Sequence, residues 1–256
     1  MKGQVAFITG GGSGIGRAAS LQLASLGVRV GVVDIDIGQA QQTVQQIEAA
    51  GGEAKALAAN VADSKDMLAA TNEIAGQWGR MDIVCANAGI NGVLAPIEDF
   101  DEADWDRTLA VNLKGTFLTV KYCVPHMKEG GGSIIITSSV NGNRQFSGWG
   151  MTAYSTSKSG QVAFMKMAAL ELARYKIRVN AICPGAIDTN IDESTKKSEA
   201  LSKIEIPVLY PEGSQPLAHS SGSADQVADL ITFLSSPFSR HITGTKVYID
   251  GAETLL

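Results

Sequence analysis

Short apolar runs alternate with segments of helical period along nearly the whole chain. Val5–Ile8 is a four-residue apolar run ended by glycines and reads as a buried strand. Ile15, Ala18, Ala19, Leu23 and Leu26 then recur at helical spacing, with Gly27 at the expected helix stop. Val28–Val33 predicts a second strand, Ala40, Val44 and Ile47 a second helix ended by Gly51-Gly52, and Ala54–Ala59 a weaker third strand. Met67, Thr71, Ile74 and Trp78 mark a third helix and Ile83–Ala86 a fourth strand. A segment apolar on several faces predicts helix over about 103–128, followed by the β-branched strand Ser133–Thr137 and a long helix over about 152–174. Strand Ile177–Ile182, a helix bearing Val227, Leu230, Ile231 and Leu234, and strand Lys246–Ile249 complete the series. Strands alternating with helices of roughly 10–15 residues imply right-handed βαβ units. The expected fold class is α/β: a single Rossmann-type, doubly wound parallel sheet with helices on both faces. No linker or repeat interrupts it, so one domain over 1–256 is expected.

Residues 186–222 break the pattern, with scattered charges, Pro207, Pro211 and Pro216, and periodicity only for a short helix near 192–204. A loop this long inside a compact unit reads as a substrate lid.

Composition narrows the function. The chain has 256 residues, 45% of them hydrophobic, ample for a sizeable core. Its 28 glycines have no three-residue period and come with only 7 prolines, which excludes collagen and proline/glycine disorder. Net charge is −5 with no basic stripe, so nucleic acid is not an expected partner. No apolar run approaches the roughly 20 residues that span a bilayer, and the opening MKGQVAFITG lacks a signal-peptide core. A cytoplasmic protein without membrane contact is expected. Cys85, Cys123 and Cys183 show no CxxC spacing, and His126, His219 and His241 no HxH or HxxxH. Buried free thiols and no metal site are the reading.

The glycines cluster where chemistry needs bare backbone. Thr9-Gly10-Gly11-Gly12-Ser13-Gly14-Ile15-Gly16 joins the first strand to the first helix. Glycines there permit positive φ and let backbone N–H groups approach a pyrophosphate at a helix N-terminus. A P-loop is excluded, because Arg17-Ala18 stand where Lys and Ser/Thr are required. Asp34 ends the second strand, where a carboxylate accepts hydrogen bonds from ribose hydroxyls and repels a 2′-phosphate. Ser13 and Ile35 supply no cation to offset that repulsion, so NAD(H) is favoured over NADP(H). In Tyr154-Ser-Thr-Ser-Lys158, tyrosine and lysine lie four apart on one helix face. Alone, that pair is weak.

Together these motifs resemble the short-chain dehydrogenase/reductase family in its single-domain form. The resemblance is carried by Thr9-Gly10-x3-Gly14-x-Gly16, Asn87-Ala88-Gly89, Asn112 in Val-Asn-Leu-Lys-Gly, Ser138-Ser139, Tyr154-x3-Lys158, Pro184-Gly185 with Thr189, and Ile242-Thr-Gly244…Ile249-Asp250-Gly251, in order over nearly the whole chain. It implies that Tyr154 is the general acid in ketone reduction and the general base in alcohol oxidation. A free phenol, with pKa about 10, is a poor base near neutrality. A cation at about 4 Å is worth about 4 kcal/mol at an effective dielectric of about 20, some three pK units. The charges of Lys158 and of the oxidised nicotinamide are therefore expected to bring the phenol into range. Ser139 is implied to polarise the reacting oxygen, and Asn112 to position Lys158 through a water. The implied cofactor contacts are Gly10, Ser13, Gly14, Ile15, Gly16 and Asp34; Asn60 near the adenine, with Val61 beside it; Asn87, Ala88 and Gly89; Tyr154 and Lys158, the latter on the nicotinamide ribose; and Pro184, Gly185, Ile187 and Thr189. A homotetramer packed through the helices near 103–128 and 152–174 is the family expectation.

Three departures stand out. The position of Asn60 is more often Asp in the family, Ala252 replaces a second glycine, and Ser139 and Tyr154 lie 15 apart, about two more than usual. The added length, in Val140–Thr152, carries Gly142, Gly148 and Gly150 and borders the expected substrate pocket. Ser139, Asn141, Trp149 and Tyr154 are the candidate substrate contacts, with Phe146, Trp149, Ile187, Ile191 and Leu209 as candidate apolar walls. Residues 188–217 hold six acidic and three basic side chains, which disfavours a polyanionic substrate. The leading expectation is an NAD(H)-dependent oxidoreductase of a secondary alcohol and its ketone, neutral and medium-sized. Its rivals are a 3-oxoacyl-thioester reductase of fatty-acid synthesis and a non-catalytic NAD(H)-binding sensor on the same fold.

Overall fold

Alternation along the central strands feeds two separate cores. In β1 (Val5–Thr9), Val5 and Phe7 face one side and Ala6 and Ile8 the other, all fully buried. A strand with no polar face belongs between two helical layers. The computed structural model describes residues 1–146, 149–204, 208, 210 and 213–256. Gly148, Pro207, Leu209 and Pro211 lie outside the described residues.

After β1 come α1 (Gly14–Ser25), β2 (Arg29–Asp34), α2 (Ile37–Ala49), β3 (Ala54–Ala58), α3 (Ser64–Trp78), β4 (Ile83–Ala86) and a short β5 (Gly92–Leu94). The second half holds α4 (Glu102–Leu109), a π-helical turn at Ala110–Lys114, α5 (Gly115–Cys123), β6 (Gly132–Thr137), α6 (Thr152–Leu172) and β7 (Ile177–Pro184). Short strands β8 (Ile187–Asp188), β9 (Thr195–Lys197) and β10 (Gly222–Ser223) precede α7 (Ala224–Ser235) and β11 (Lys246–Ile249). Seven strands form one parallel sheet in the order β11-β7-β6-β4-β1-β2-β3. α1, α2 and α7 cover one face, through Leu23, Ile47, Val227 and Ile231. α3, α5 and α6 cover the other, through Met67, Ile74, Leu118 and Met165. The chain winds outward from β1 to β3 and then returns to β4 on the opposite side. This reversal opens a crevice beyond the carboxyl ends of β1 and β4.

Two expectations change. The helix near 103–128 is α4, a π turn and α5 rather than one rod. The Asn112 carbonyl accepts both the Thr116 hydroxyl at 2.7 Å and, from α6, the Gln161 amide at 2.8 Å, bonds that widen the turn. The helix near 192–204 is instead two 3-10 turns, Asn190–Ser194 and Glu199–Lys203, separated by β9. β9 pairs in parallel with β5, and β8 with β10, so the segment after β7 is pinned at both ends.

Candidate active site

The glycine turn folds as the sequence demands. Gly10 and Gly14 have φ of +64° and +47°, and a methyl group at Gly16 would strike the Gly10 carbonyl oxygen. The α1 N-terminus has no side-chain cap and no acidic residue in its first turn, whereas Asp36, Asp63, Asp101 and Ser223 cap α2, α3, α4 and α7. Bare backbone and an uncapped positive helix end fit the pyrophosphate of a dinucleotide. Asp34 closes the far side: its Oδ2 accepts the Gly12 N–H at 2.9 Å and its Oδ1 the Asp36 N–H at 3.1 Å. Arg17 donates from Nε to the Gly12 carbonyl at 2.8 Å, so that cation braces the loop.

Asn87 works on the protein itself. Its Nδ2 donates to the carbonyls of Thr9 and Gly10 at 3.1 and 3.4 Å, and its Oδ1 accepts the Thr137 hydroxyl at 3.0 Å. One side chain thus ties together the ends of β1, β4 and β6.

Ser139, Tyr154 and Lys158 converge at the end of β6 and the first turns of α6, all buried. The Asn141 backbone N–H donates to Ser139 Oγ at 3.1 Å, which leaves the serine's own hydrogen to be donated onward. Lys158 Nζ donates to the Thr137 carbonyl at 2.9 Å and lies 5.4 Å from the Tyr154 ring centroid. Burial pushes the Tyr154 phenol up, while the Ser139 hydroxyl beside it pulls the other way. Burial also lowers the Lys158 ammonium to about 8. Of the two charges expected to lower the phenol, Lys158 by itself does not bring it below its ordinary value. Desolvation of the phenolate dominates, and the Lys158 ammonium is itself desolvated and turned toward a carbonyl.

Asn112 is fully buried and its side chain is committed. Oδ1 accepts the Ile90 N–H at 2.8 Å, and Nδ2 donates to the Ile90 carbonyl at 2.9 Å and to Ser157 Oγ at 3.0 Å. It does not touch Lys158. A Cβ on Gly89 would lie 3.3 Å from Asn112 Oδ1 and 3.4 Å from Lys158 Nζ, so the glycine keeps the gap between these atoms clear.

A cleft of about 970 Å³ unites most of the expected positions: Gly10, Ser13, Gly14, Ile15, Asn87, Ala88, Gly89, Ser139, Asn141, Tyr154, Lys158, Pro184, Gly185, Ile187 and Thr189. Gly16 and Asn112 support it from behind. Asp34 lies off its wall, beside Gly12. Asn60 and Val61 are also off the wall. Asn60 shapes the turn before α3 by accepting the Ala62 N–H at 3.0 Å, and Val61 packs beneath Gly115. Trp149 and Phe146 do not line the cleft. The Gly150 carbonyl accepts the Ala95 N–H, drawing that part of the loop toward Ala95 and Leu201, and Phe146 is 73% exposed.

Three contributors had no motif to announce them. Asn143 Nδ2 lies 2.9 Å from the Ser139 carbonyl, 3.0 Å from Ser138 Oγ and 3.4 Å from the Lys158 carbonyl, so it joins the catalytic strand end to the catalytic helix. Glu253 Oε2 accepts the Ala186 N–H at 2.9 Å and the Gln215 Nε2 at 3.2 Å, clasping both ends of the lid. Gln145 lines the cleft from the lengthened loop.

A buried tyrosine, lysine and serine beside a dinucleotide cradle define an oxidoreductase site on a Rossmann-type sheet. The model of the short chain dehydrogenase family matches residues 4–200. Cyclohexanol dehydrogenase of Acinetobacter sp. (strain SE19) is 36% identical over 98% of this chain and 95% of its own length. Levodione reductase of Leifsonia aquatica is 32% identical over 98% and 94%. Among solved structures, a 3-ketoacyl-ACP reductase from Sinorhizobium meliloti 1021 is 47% identical with a TM-score of 0.94, covering 98% of this chain and 99% of that one. The chain belongs to the short-chain dehydrogenase/reductase family, and its activity is that of an oxidoreductase. Members of this family use nicotinamide cofactors.

Proposed function

We propose that this protein interconverts a secondary alcohol and its ketone with NAD(H). The observation that carries the reading is the convergence of Tyr154, Ser139 and Lys158 on a cleft that also contains the Gly10–Gly16 turn. A bound nicotinamide dinucleotide supplies the hydride acceptor or donor and, when oxidised, a positive charge that favours the phenolate. The chain's own residues do the rest. Ser139, already accepting from the Asn141 N–H, donates its hydroxyl hydrogen to the substrate oxygen and holds it beside Tyr154. Tyr154 gives up the phenolic proton in reduction and takes it back in oxidation. Lys158, 3% exposed, holds charge beneath the ring. Asp34 faces the ribose end and supports NAD(H) over NADP(H).

The 3-ketoacyl-ACP reductase at 47% identity supports a second reading, reduction of 3-oxoacyl thioesters. Against it, Lys158 is the sole cation among the described cleft-lining residues, alongside Asp188, Asp192 and Glu253. Under the leading reading the protein acts as a single-domain unit, cytoplasmic and homotetrameric. Among the described residues, no helix is long and apolar enough to cross a membrane.

The test is NADH formation or consumption with alcohols and ketones, compared for wild type and Tyr154→Phe. The variant is expected to bind NADH normally and to lose at least about 10² in kcat. Binding of NADH with no hydride transfer by wild type would indicate a sensor. A strong NADPH preference that Asp34→Ala does not alter would favour the thioester reading.

A further inference from the structure

The cleft beside Tyr154 is lined by polar side chains, Asn91, Gln145, Asp192 and Ser194 among them. Three segments close it beyond Tyr154: Asn91 after β4, the lengthened loop with Gln145 and Met151, and Ile191–Ser194 of the lid. Asn91 fixes the first of these to the lid, its N–H donating to Ser194 Oγ at 3.1 Å and its Nδ2 to Thr195 Oγ1 at 2.9 Å. That leaves the Asn91 Oδ1 available as an acceptor. The Gln145 side-chain amide, a donor and acceptor together, has no hydrogen-bond partner among the described residues, and the Asp192 carboxylate at the rim has none either. Among the described residues Tyr154 is the one aromatic side chain on the wall, since neither Phe146 nor Trp149 lines the cleft.

A hydrocarbon ring seated here would strip water from Gln145 and Asn91 and return nothing. Each polar group left unmet in this way lowers affinity by roughly tenfold. A hydroxylated ring avoids that loss. Its C–H faces pack on Met151 and Ile191 while its hydroxyls donate to Asn91 Oδ1 and bond with the Gln145 amide. Asp188, Asp192 and Glu253 on the walls repel anions, and the single cation among the described lining residues, Lys158, is committed beneath Tyr154. Resting on the alcohol–ketone reading above, we propose that the substrate is a neutral polyhydroxylated compound, a cyclic polyol or a sugar, whose additional hydroxyls are recognised by Gln145 and Asn91.

The experiment follows NADH formation by the full chain with NAD and rings of increasing hydroxyl content. The series is cyclohexanol, the cyclohexane-1,2-diols, myo-inositol and the common aldohexoses, with glucose 6-phosphate as the anionic arm. The expected result is kcat/KM at least tenfold higher for the best polyhydroxylated ring than for cyclohexanol, with the phosphorylated sugar at least tenfold below its parent. In Gln145→Leu the preference for the hydroxylated ring is expected to shrink about tenfold. Cyclohexanol turned over as well as the best polyol, or a preference that Gln145→Leu leaves intact, overturns this proposal while the reaction assignment stands. Failure of every alcohol in the series, with NADH binding retained, overturns the reaction assignment and this proposal with it.

Discussion

Lys158 is the site residue whose burial most changes its charge near working pH. Burial lowers its pKa from 10.5 to about 8, so the folded state sheds this proton before the unfolded chain does. Below about pH 8 both states carry the charge, and the fold bears the full cost of burying it. Between about 8 and 10.5 only the unfolded chain holds the proton, and the contribution of Lys158 to stability rises with pH. Lys158→Met removes this dependence. Urea unfolding of both proteins at pH 7 and pH 10 is expected to show the wild type gaining on the variant by up to about 3 kcal/mol. A constant difference would mean that the ammonium is solvated. The motif Tyr154-x3-Lys158 was legible in the sequence. The depressed lysine was not, because desolvation depends on β6, β7 and Gly89, which spacing alone does not place around it.

At the scale of elements, the turn from β6 into α6 carries more of the site than its motif residues disclose. The Asn143 amide reaches the carbonyls of Ser139 and Lys158, and Ser138 Oγ donates to the same Lys158 carbonyl at 2.8 Å. These bonds set how far the strand end stands from the helix face, and so where the serine hydroxyl sits relative to the phenol. Asn143→Leu keeps the volume and removes the donor. It is expected to lower kcat about tenfold with KM and NADH affinity nearly unchanged, because Asn143 does not line the cleft. A fall in melting temperature with kcat intact would reduce Asn143 to a structural role. Sequence periodicity placed the central strands to within one or two residues, since their apolar runs are bounded by glycine, proline or polar residues. It could not foresee the π turn at Ala110–Lys114, whose cause is the Gln161 amide of another helix. Nor could it foresee that the lengthened loop carries Trp149 away from the cleft, because that depends on Ala95 pairing with Gly150.

For the whole molecule, the outward faces of α5 and α6 leave Phe117 45%, Met167 66% and Leu170 76% exposed. Apolar surface concentrated on two neighbouring helices supports association between copies of the chain. Sedimentation is expected to give the mass of four chains, and Leu170→Glu to lower it; a wild-type monomer would refute the tetramer. The order of the sheet has a consequence for synthesis. The first strand made, with Val5, Ala6, Phe7 and Ile8 all fully buried in the finished protein, is a central one, paired on one side by β2 and on the other by β4. During translation β2 and β3 can join it early, but its second edge stays bare until Ile83–Ala86 leaves the ribosome. A nascent chain stalled before that point therefore presents a sticky, unpaired strand edge. The amino-terminal half of this nucleotide-binding fold, produced alone, is thus expected to aggregate rather than persist as a soluble fragment.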